Sequence, residues 1–328
     1  HAAWHGLTPT DLVFPFFLFI VGVAIPFSFE KRLAGGDSRK ALFLHVLRRS
    51  LILFGLGLFM AAFPRFDLGE LRIMGVLQRI GVVYLLAASL YLVTGKGGRG
   101  GVLVALLLGY WALLTLVPVP GFGPGDLSPE GNLGAYLDRK ILGDHLWREM
   151  WDPEGLLSTL PAVGTTLLGI FTGEWLRSES TRARQWQGLV GGGVLLLALG
   201  LLWGELFPIN KGLWTSSYVL FTAGTGAVCL GIMFWLMEVK GWTAWATPLV
   251  IYGMNAIVVF VASGLLARVM GIIRVGEEGA ALKSWIYESL FASWLGPLNG
   301  SLGFALAYVL FWLALMWGLY RRRIFIKI

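Results

Sequence analysis

Leu12-Val13-Phe14-Pro15-Phe16-Phe17-Leu18-Phe19-Ile20-Val21-Gly22-Val23-Ala24-Ile25-Pro26-Phe27-Ser28-Phe29 contains no charged residue. An α-helix needs about 20 mostly apolar residues to cross the hydrocarbon of a bilayer, and this run nearly supplies them. Comparable runs recur at 43–63, 73–94, 101–118, 154–176, 188–207, 214–237, 247–270 and 302–320. The chain is therefore expected to be an all-α membrane protein, a polytopic helix bundle of about nine spans. A further apolar piece, 284–296, is short and rich in Trp and Ser. It reads as an interfacial or re-entrant segment.

Composition agrees. A mean hydropathy of +0.73, 56% hydrophobic and only 14% charged residues exclude an ordinary soluble domain. The 15 Trp, 21 Phe and 45 Gly are the aromatic and small-residue load of packed membrane helices. The lone Cys229 excludes an intrachain disulfide, and it is expected to be a small buried residue. Gly95-Lys96-Gly97-Gly98 lacks the spacing of a phosphate-cradling loop, and no nucleic-acid motif occurs. Residues 1–328 read as one transmembrane domain, in which 119–153 is the longest polar connection. That external loop is expected to carry a short amphipathic helix around Ala135 to Met150. With no initiating Met, the chain reads as the remainder of a longer protein, with at least one element missing upstream.

Charge sets the expected orientation. Alternating loops place 30–42, 95–100, 177–187, 238–246 and the tail from Arg321 on one face. With Arg48, Arg49 and Glu174 at the helix ends, that face holds 16 Lys/Arg against 5 Asp/Glu. The opposite face holds 9 against 14. The positive-inside rule then makes the first face cytoplasmic, so the C-terminus is expected in the cytoplasm and His1 on the external, periplasmic or luminal, side.

The external face begins with His1-Ala2-Ala3-Trp4-His5-Gly6-Leu7-Thr8-Pro9-Thr10-Asp11. Titratable groups at the mouth of a membrane helix suggest a site. Thr8-Pro9-Thr10-Asp11 is a capping pattern, with Asp11 at N3. Asp152-Pro153 and Thr247-Pro248 repeat the cap-then-proline signal. A catalytic zinc takes three protein ligands, and Asp11 already has a cap role, so no metal site is expected. A histidine with near-neutral titration suits a general base or a nucleophile, and spacing leaves His1 and His5 both open.

Other polar groups lie deeper. Gln78 and Arg79 fall inside span 73–94, where an Arg usually faces a water-filled cavity. Asn255 lies within 247–270, where an interhelical hydrogen bond is the ordinary role. Ser158, Ala162, Thr165, Gly169 and Thr172 form one stripe that suits close helix packing or a narrow path. Glu174 and Arg177, at i,i+3, are expected to pair. Asn210, Lys211 and Trp214 to Tyr218 form a polar-aromatic patch, by default an aromatic belt. These residues suit a transporter as well as a membrane enzyme.

Five stretches, in order, resemble the heparan-α-glucosaminide N-acetyltransferase family of transmembrane acyltransferases. They are His1-Ala2-Ala3-Trp4-His5-Gly6-Leu7-Thr8 with Asp11 to Pro15, Gly75 to Ile80, Asp152 to Pro161, Asn210-Lys211 with Leu213 to Ser217, and Gly253 to Ile257. The resemblance implies that acetyl-CoA, taken from the cytosol, donates acetyl to an amine of a sugar or glycan on the other side. It places the catalytic histidine at His1. It also implies a preceding helix carrying an Asn that matters for activity. Arg79, Gln78, Asn255, Lys211 and Trp214 become candidate substrate or oxyanion contacts. Arg48, Arg49 and Arg177 become candidates for the CoA phosphates. The expected partners are the acceptor and the bilayer, with a homodimer left open. N- or O-acetylation, and a ternary-complex or acetyl-enzyme route, stay open too. The other class of reading is a transporter or flippase for an amphipathic anion, which the lack of internal repeats disfavours.

Overall fold

The computed structural model describes residues 1–276 and 279–326. Its helices are α1 (Val13–Ala34), α2 (Arg39–Ala62), α3 (Val76–Val93), α4 (Lys96–Leu116), α5 (Leu133–Leu142) and α6 (Thr159–Leu176). They continue with α7 (Arg182–Gly204), α8 (Ser216–Phe234), α9 (Thr247–Met254), α10 (Ala256–Ile272), α11 (Leu282–Tyr287) and α12 (Ser293–Arg321). A 3-10 turn, Pro9–Leu12, leads into α1. The strand pair Arg274–Val275 and Ala280–Ala281 is the only sheet among the described residues. The protein is an all-α, multi-pass membrane protein.

Among the described residues, seven helical segments are long and apolar enough to span a bilayer, or eight if α9 and α10 count as one. The one expected span that falls short is α6, which carries Glu174 and several Thr and Gly. The reason lies in its surroundings. Helix α6 packs against α1, α3, α4 and α8, and most of its residues are buried. A helix enclosed by protein has no need of a lipid-soluble surface. Helix α7 is the opposite case: Leu195, Leu199 and Leu202 point outward, as lipid-facing leucines do.

The chain forms two compact units: 1–62 with 67–241, and 63–66 with 242–328. In the first unit, backbone touches backbone. A Cβ on Gly22 would lie 2.1 Å from the Thr166 carbonyl oxygen, and one on Gly169 would lie 2.1 Å from that of Phe19. The stripe on α6 is therefore a packing surface against α1 at Gly169. Gly193 and Gly200 of α7 meet α8 in the same way. Between helices in lipid, such close approach replaces the missing hydrophobic drive.

In the second unit the expected continuous helix 247–270 is broken. α9 and α10 meet at Asn255 with a bend of 69°. Asn255 is 1% exposed. Its Nδ2 donates to the Ile324 carbonyl at 3.1 Å, and its Oδ1 accepts from the Ile326 amide at 2.8 Å. The side chain thus pairs with backbone of the C-terminal tail. Segment 284–296 is helical up to Gly296, whose φ of 74° reverses the chain before Pro297. It folds back on α12: Tyr287 donates to the Pro297 carbonyl at 2.9 Å, and Phe291 meets Phe304 edge-on. Ile251, Trp312 and Met316 form this unit's core.

Three local expectations change. Helix α5 ends at Leu142 with Gly143 at φ 55°, so 144–151 is loop, where a helix to Met150 was expected. Helix α6 begins at Thr159, because Asp152 caps a turn by accepting the Glu154 amide at 2.8 Å. Cys229 is exposed on α8, although the apolar run around it suggested burial.

Candidate functional site

Asp11 organises the site. Its side chain is 1% exposed, and Oδ2 accepts from the amides of Ala2 and Thr8, both at 3.0 Å, and from the Thr8 hydroxyl at 2.8 Å. The capping pattern is real, yet it occupies only one carboxylate oxygen. The other, Oδ1, lies 2.5 Å from His1 Nδ1 and 3.4 Å from Lys211 Nζ. The Tyr218 hydroxyl holds the Asp11 carbonyl at 2.6 Å. An ionised carboxylate only accepts, so His1 Nδ1 carries a proton. In the neutral ring Nε2 is then the nitrogen with the lone pair.

The first loop is tied to the distant segment 209–214. Gly6 N–H donates to the Ile209 carbonyl at 2.8 Å. Asn210 Nδ2 donates to the Trp4 carbonyl at 3.0 Å and lies 3.2 Å from His5 Nδ1. Burial holds the His5 imidazole below its ordinary value. His5 is thus a held neighbour of the site, and His1 faces the space.

That space is a cavity of about 420 Å³, lined by His1, Trp4, Asp11, Phe14, Arg72, Trp147, Arg148, Trp151, Glu154 and Lys211 among others. Arg72 forms its opposite wall. Its fork grips Asp152 (Nε–Oδ2 2.9 Å, Nη2–Oδ1 2.5 Å) and Glu154 (2.5 Å), with the guanidinium 4.9 Å from the Trp147 ring. Burial opposes the Arg72 charge, and the bonds to Asp152 and Glu154 outweigh it, so its proton is held more tightly than usual. Arg148 lies 5.4 Å over the Trp151 ring, which meets Trp4 edge-on. Sequence reasoning missed Arg72, Trp147, Arg148 and Trp151. Only the Asp152-Pro153 signal pointed to this wall, and it was read as a helix cap.

Of the candidate contacts, the structure brings Lys211 to His1, at 3.3 Å between Nζ and Nδ1. Trp214 is wholly buried at φ 53°. Its ring meets Phe14 on the cavity wall at 5.1 Å, and its Nε1 donates to Thr165 at 3.2 Å. Trp214 and Tyr218 are core residues, which corrects the aromatic-belt expectation. The Arg79 guanidinium lies 5.1 Å from the Trp214 ring. Arg79 is 0% exposed; its Nη2 donates to the Gly155 carbonyl at 3.0 Å and to Ser158. Among the described residues, Arg79 Nε and Nη1 have no hydrogen-bond partner. Gln78 is turned to α2, filling the space a Cβ on Gly57 would take. Asn255 belongs to the second unit.

At the other end of α2, Arg32, Arg48 and Arg49 surround His45. Arg32 pairs with Asp37 at 2.7 Å, and Arg49 lies 5.2 Å over the Tyr84 ring. Arg177 is engaged elsewhere, by Glu30 and by the Pro26 carbonyl at 3.1 Å. Glu174 pairs with Arg99. The expected Glu174–Arg177 pair is replaced by these two, because α1 and α4 bring closer partners.

The fold and site define a multi-pass membrane protein with a histidine–carboxylate pair at a tryptophan-walled cavity. Residues 2–90 match the family described as "Domain of unknown function (DUF5009)". The chain is 30% identical to heparan-alpha-glucosaminide N-acetyltransferase of Homo sapiens, over 100% of this chain and 55% of that protein. It is also 30% identical to the Mus musculus enzyme of the same name, over 97% of this chain and 56% of that protein. Over its whole length the chain is thus similar to heparan-alpha-glucosaminide N-acetyltransferases, and it spans about half the length of the curated relatives it matches.

Proposed function

We propose that the protein is a transmembrane acetyltransferase. In this reading acetyl-CoA donates from the cytosolic side, and an amine of a sugar or glycan accepts on the external side. The observation that carries it is His1, held through Nδ1 by a buried carboxylate with Nε2 left for a reactant, at a cavity wide enough for a sugar ring. The curated relatives bear the name of an N-acetyltransferase of a glucosaminide. Trp147 and Trp151 offer apolar faces for a sugar ring. A transporter reading gains nothing from these relatives.

The amine attacks the thioester carbonyl, the C–S bond breaks, and the proton removed from the amine through His1 Nε2 passes to the departing thiolate. In the covalent variant Nε2 itself attacks the thioester carbonyl and the C–S bond breaks to release the thiolate. The amine then attacks the acetyl-imidazole, the C–Nε2 bond breaks, and the proton the amine sheds neutralises the thiolate. Both routes start from an imidazole with an unprotonated Nε2. Arg79, with two unpaired donors in an enclosed site, is the group suited to hold the thioester oxygen or the amides of the CoA arm. Arg48 and Arg49, with no carboxylate partner among the described residues, suit the CoA phosphates. Arg177, already paired, suits them less well. The charge asymmetry of the loops supports nine crossings including α6, with His1 external and the C-terminus cytoplasmic; a bacterial inner membrane is part of the same proposal.

The test is labelled acetyl-CoA supplied to proteoliposomes with glucosamine on the opposite side. His1→Ala is expected to lower product formation by about 10²-fold or more. Undiminished product in that variant removes His1 from the chemistry. No CoA-dependent product with any amino sugar overturns the reading.

A further inference from the structure

Lys211 has an unusual position for a substrate contact. Its ammonium is directed at the catalytic pair: Nζ lies 3.4 Å from Asp11 Oδ1 and 3.3 Å from His1 Nδ1. One carboxylate oxygen therefore serves two donors that repel each other when the imidazole is charged. Left alone with His1, a carboxylate 2.5 Å from Nδ1 favours the doubly protonated ring, because an opposite charge stabilises the charged form. That ring has no lone pair to accept a proton or attack a carbonyl.

We infer that Lys211 is the positioning residue that keeps His1 neutral by neutralising Asp11, while leaving the Nδ1–H···Oδ1 bond intact. This inference rests on the proposed role of His1. Other groups do not supply this charge. Thr10, whose hydroxyl is 3.2 Å from Nδ1, is uncharged. Tyr218 binds the Asp11 carbonyl, away from its carboxylate. His5 is turned to Asn210. Across the cavity Arg72 is tied to Asp152 and Glu154, and Arg148 lies over Trp151. The segment that delivers Lys211 is fixed independently. Asn210 Oδ1 accepts the Leu213 amide at 2.8 Å, and the Thr215 hydroxyl accepts the Asn210 amide at 3.1 Å. The ammonium is thus aimed by a rigid turn.

A unit charge 3.3 Å away shifts a titration by about one pH unit even with the full dielectric of water between. Removing it should therefore raise the pH at which His1 takes up its second proton by about one unit or more. The measurement is carbethoxylation by diethylpyrocarbonate, which reacts with the unprotonated imidazole. It is followed on the His1 peptide by mass spectrometry as a function of pH, in the intact protein. This readout needs no acetyl transfer, so the inference and the proposed activity can fail separately. Lys211→Met is expected to move the midpoint up, and Lys211→Arg to leave it near wild type. Asp11→Asn is expected to move it down. Lys211→Gln, which keeps a donor for Asp11 without the charge, is the second neutral variant and should behave as Lys211→Met. In the transfer assay the acidic limb of kcat/KM should move with the midpoint. A merely structural Lys211 would lower activity without moving either. The inference falls if both neutral variants titrate His1 as the wild type does, or if Lys211→Arg shifts as far as Lys211→Met.

Discussion

Asp138→Asn should make the protein more stable at neutral pH. Asp138 is 3% exposed, and Oδ1 accepts the Leu156 amide at 2.8 Å. Its Oδ2 occupies the space that a Cβ on Gly155 would need. Burial raises the carboxyl from 3.8 to about 6, against the opposing pull of the Leu156 hydrogen bond. The folded chain thus keeps this proton where the unfolded chain has released it. The neutral acid contributes its stability in full below about pH 4, and that contribution is lost as pH rises through about 6. A shift of this size corresponds to about 3 kcal/mol. Asparagine keeps the carbonyl that Leu156 needs and has no proton to lose. At pH 7.5 the variant should gain up to about 3 kcal/mol over wild type, and at pH 4.5 the two should agree within about 1 kcal/mol. Reversible unfolding in mixed detergent micelles, followed by tryptophan fluorescence at both pH values, gives the difference. A variant equally destabilised at both pH values would refute the reasoning, because it would mean the folded state uses Asp138 as a paired anion.

Further substitutions at three positions test the frame around the site. Gly169→Val places side-chain atoms against the Phe19 carbonyl, where even a Cβ would lie 2.1 Å away. It should cost about 3 kcal/mol or prevent folding. Gly164→Ala, whose Cβ would meet the ends of Leu103 and Leu107 at 3.3 Å and Val219 Cγ1 at 3.8 Å, should cost under about 1 kcal/mol in the same unfolding assay. Arg72→Ala leaves the Asp152 carboxylate, 0% exposed, without its cation. The expected loss is about 3–5 kcal/mol, with partial recovery when Asp152→Asn is added and the charge is no longer stranded. Arg72→Lys should restore less than half, since an ammonium lacks the fork that spans both carboxylates.

The helices were legible because hydrocarbon allows few alternatives: a run such as 12–29 has to be a helix somewhere in the fold. Burial inside protein was less legible. α6 was expected from its apolar residues, and only contact with α1, α3, α4 and α8 explains why it tolerates four Thr and Glu174. The break at Asn255 carried no local warning either. Its cause is a pair of backbone groups about 70 residues away, which periodicity does not register. At the site, His1 was reached through resemblance, whereas the physical motif pointed at Asp11 and gave it only half its role. A cap explains one oxygen, and nothing in the spacing of Thr8-Pro9-Thr10-Asp11 says what the second would hold. Lys211 was singled out, but its distance from His1 arises from a turn 200 residues downstream. The Arg72 wall was not legible as a wall, because Arg72, Trp147 and Arg148 come from two connections, while Asp152 reads as a cap and Glu154 as the start of the span 154–176.

The tie between the first loop and segment 209–218 also has a consequence in time. His1 meets Lys211 across 210 residues of chain, and the Asp11 carbonyl meets Tyr218 across 207. A ribosome adding about 5–20 residues per second needs some ten seconds or more to go from one to the other. Throughout that interval the histidine has Asp11 for company but neither the cation nor the turn that aims it. The cluster around Asp11 is therefore completed late in synthesis, only once α8 has begun, and before α9 to α12 have been made.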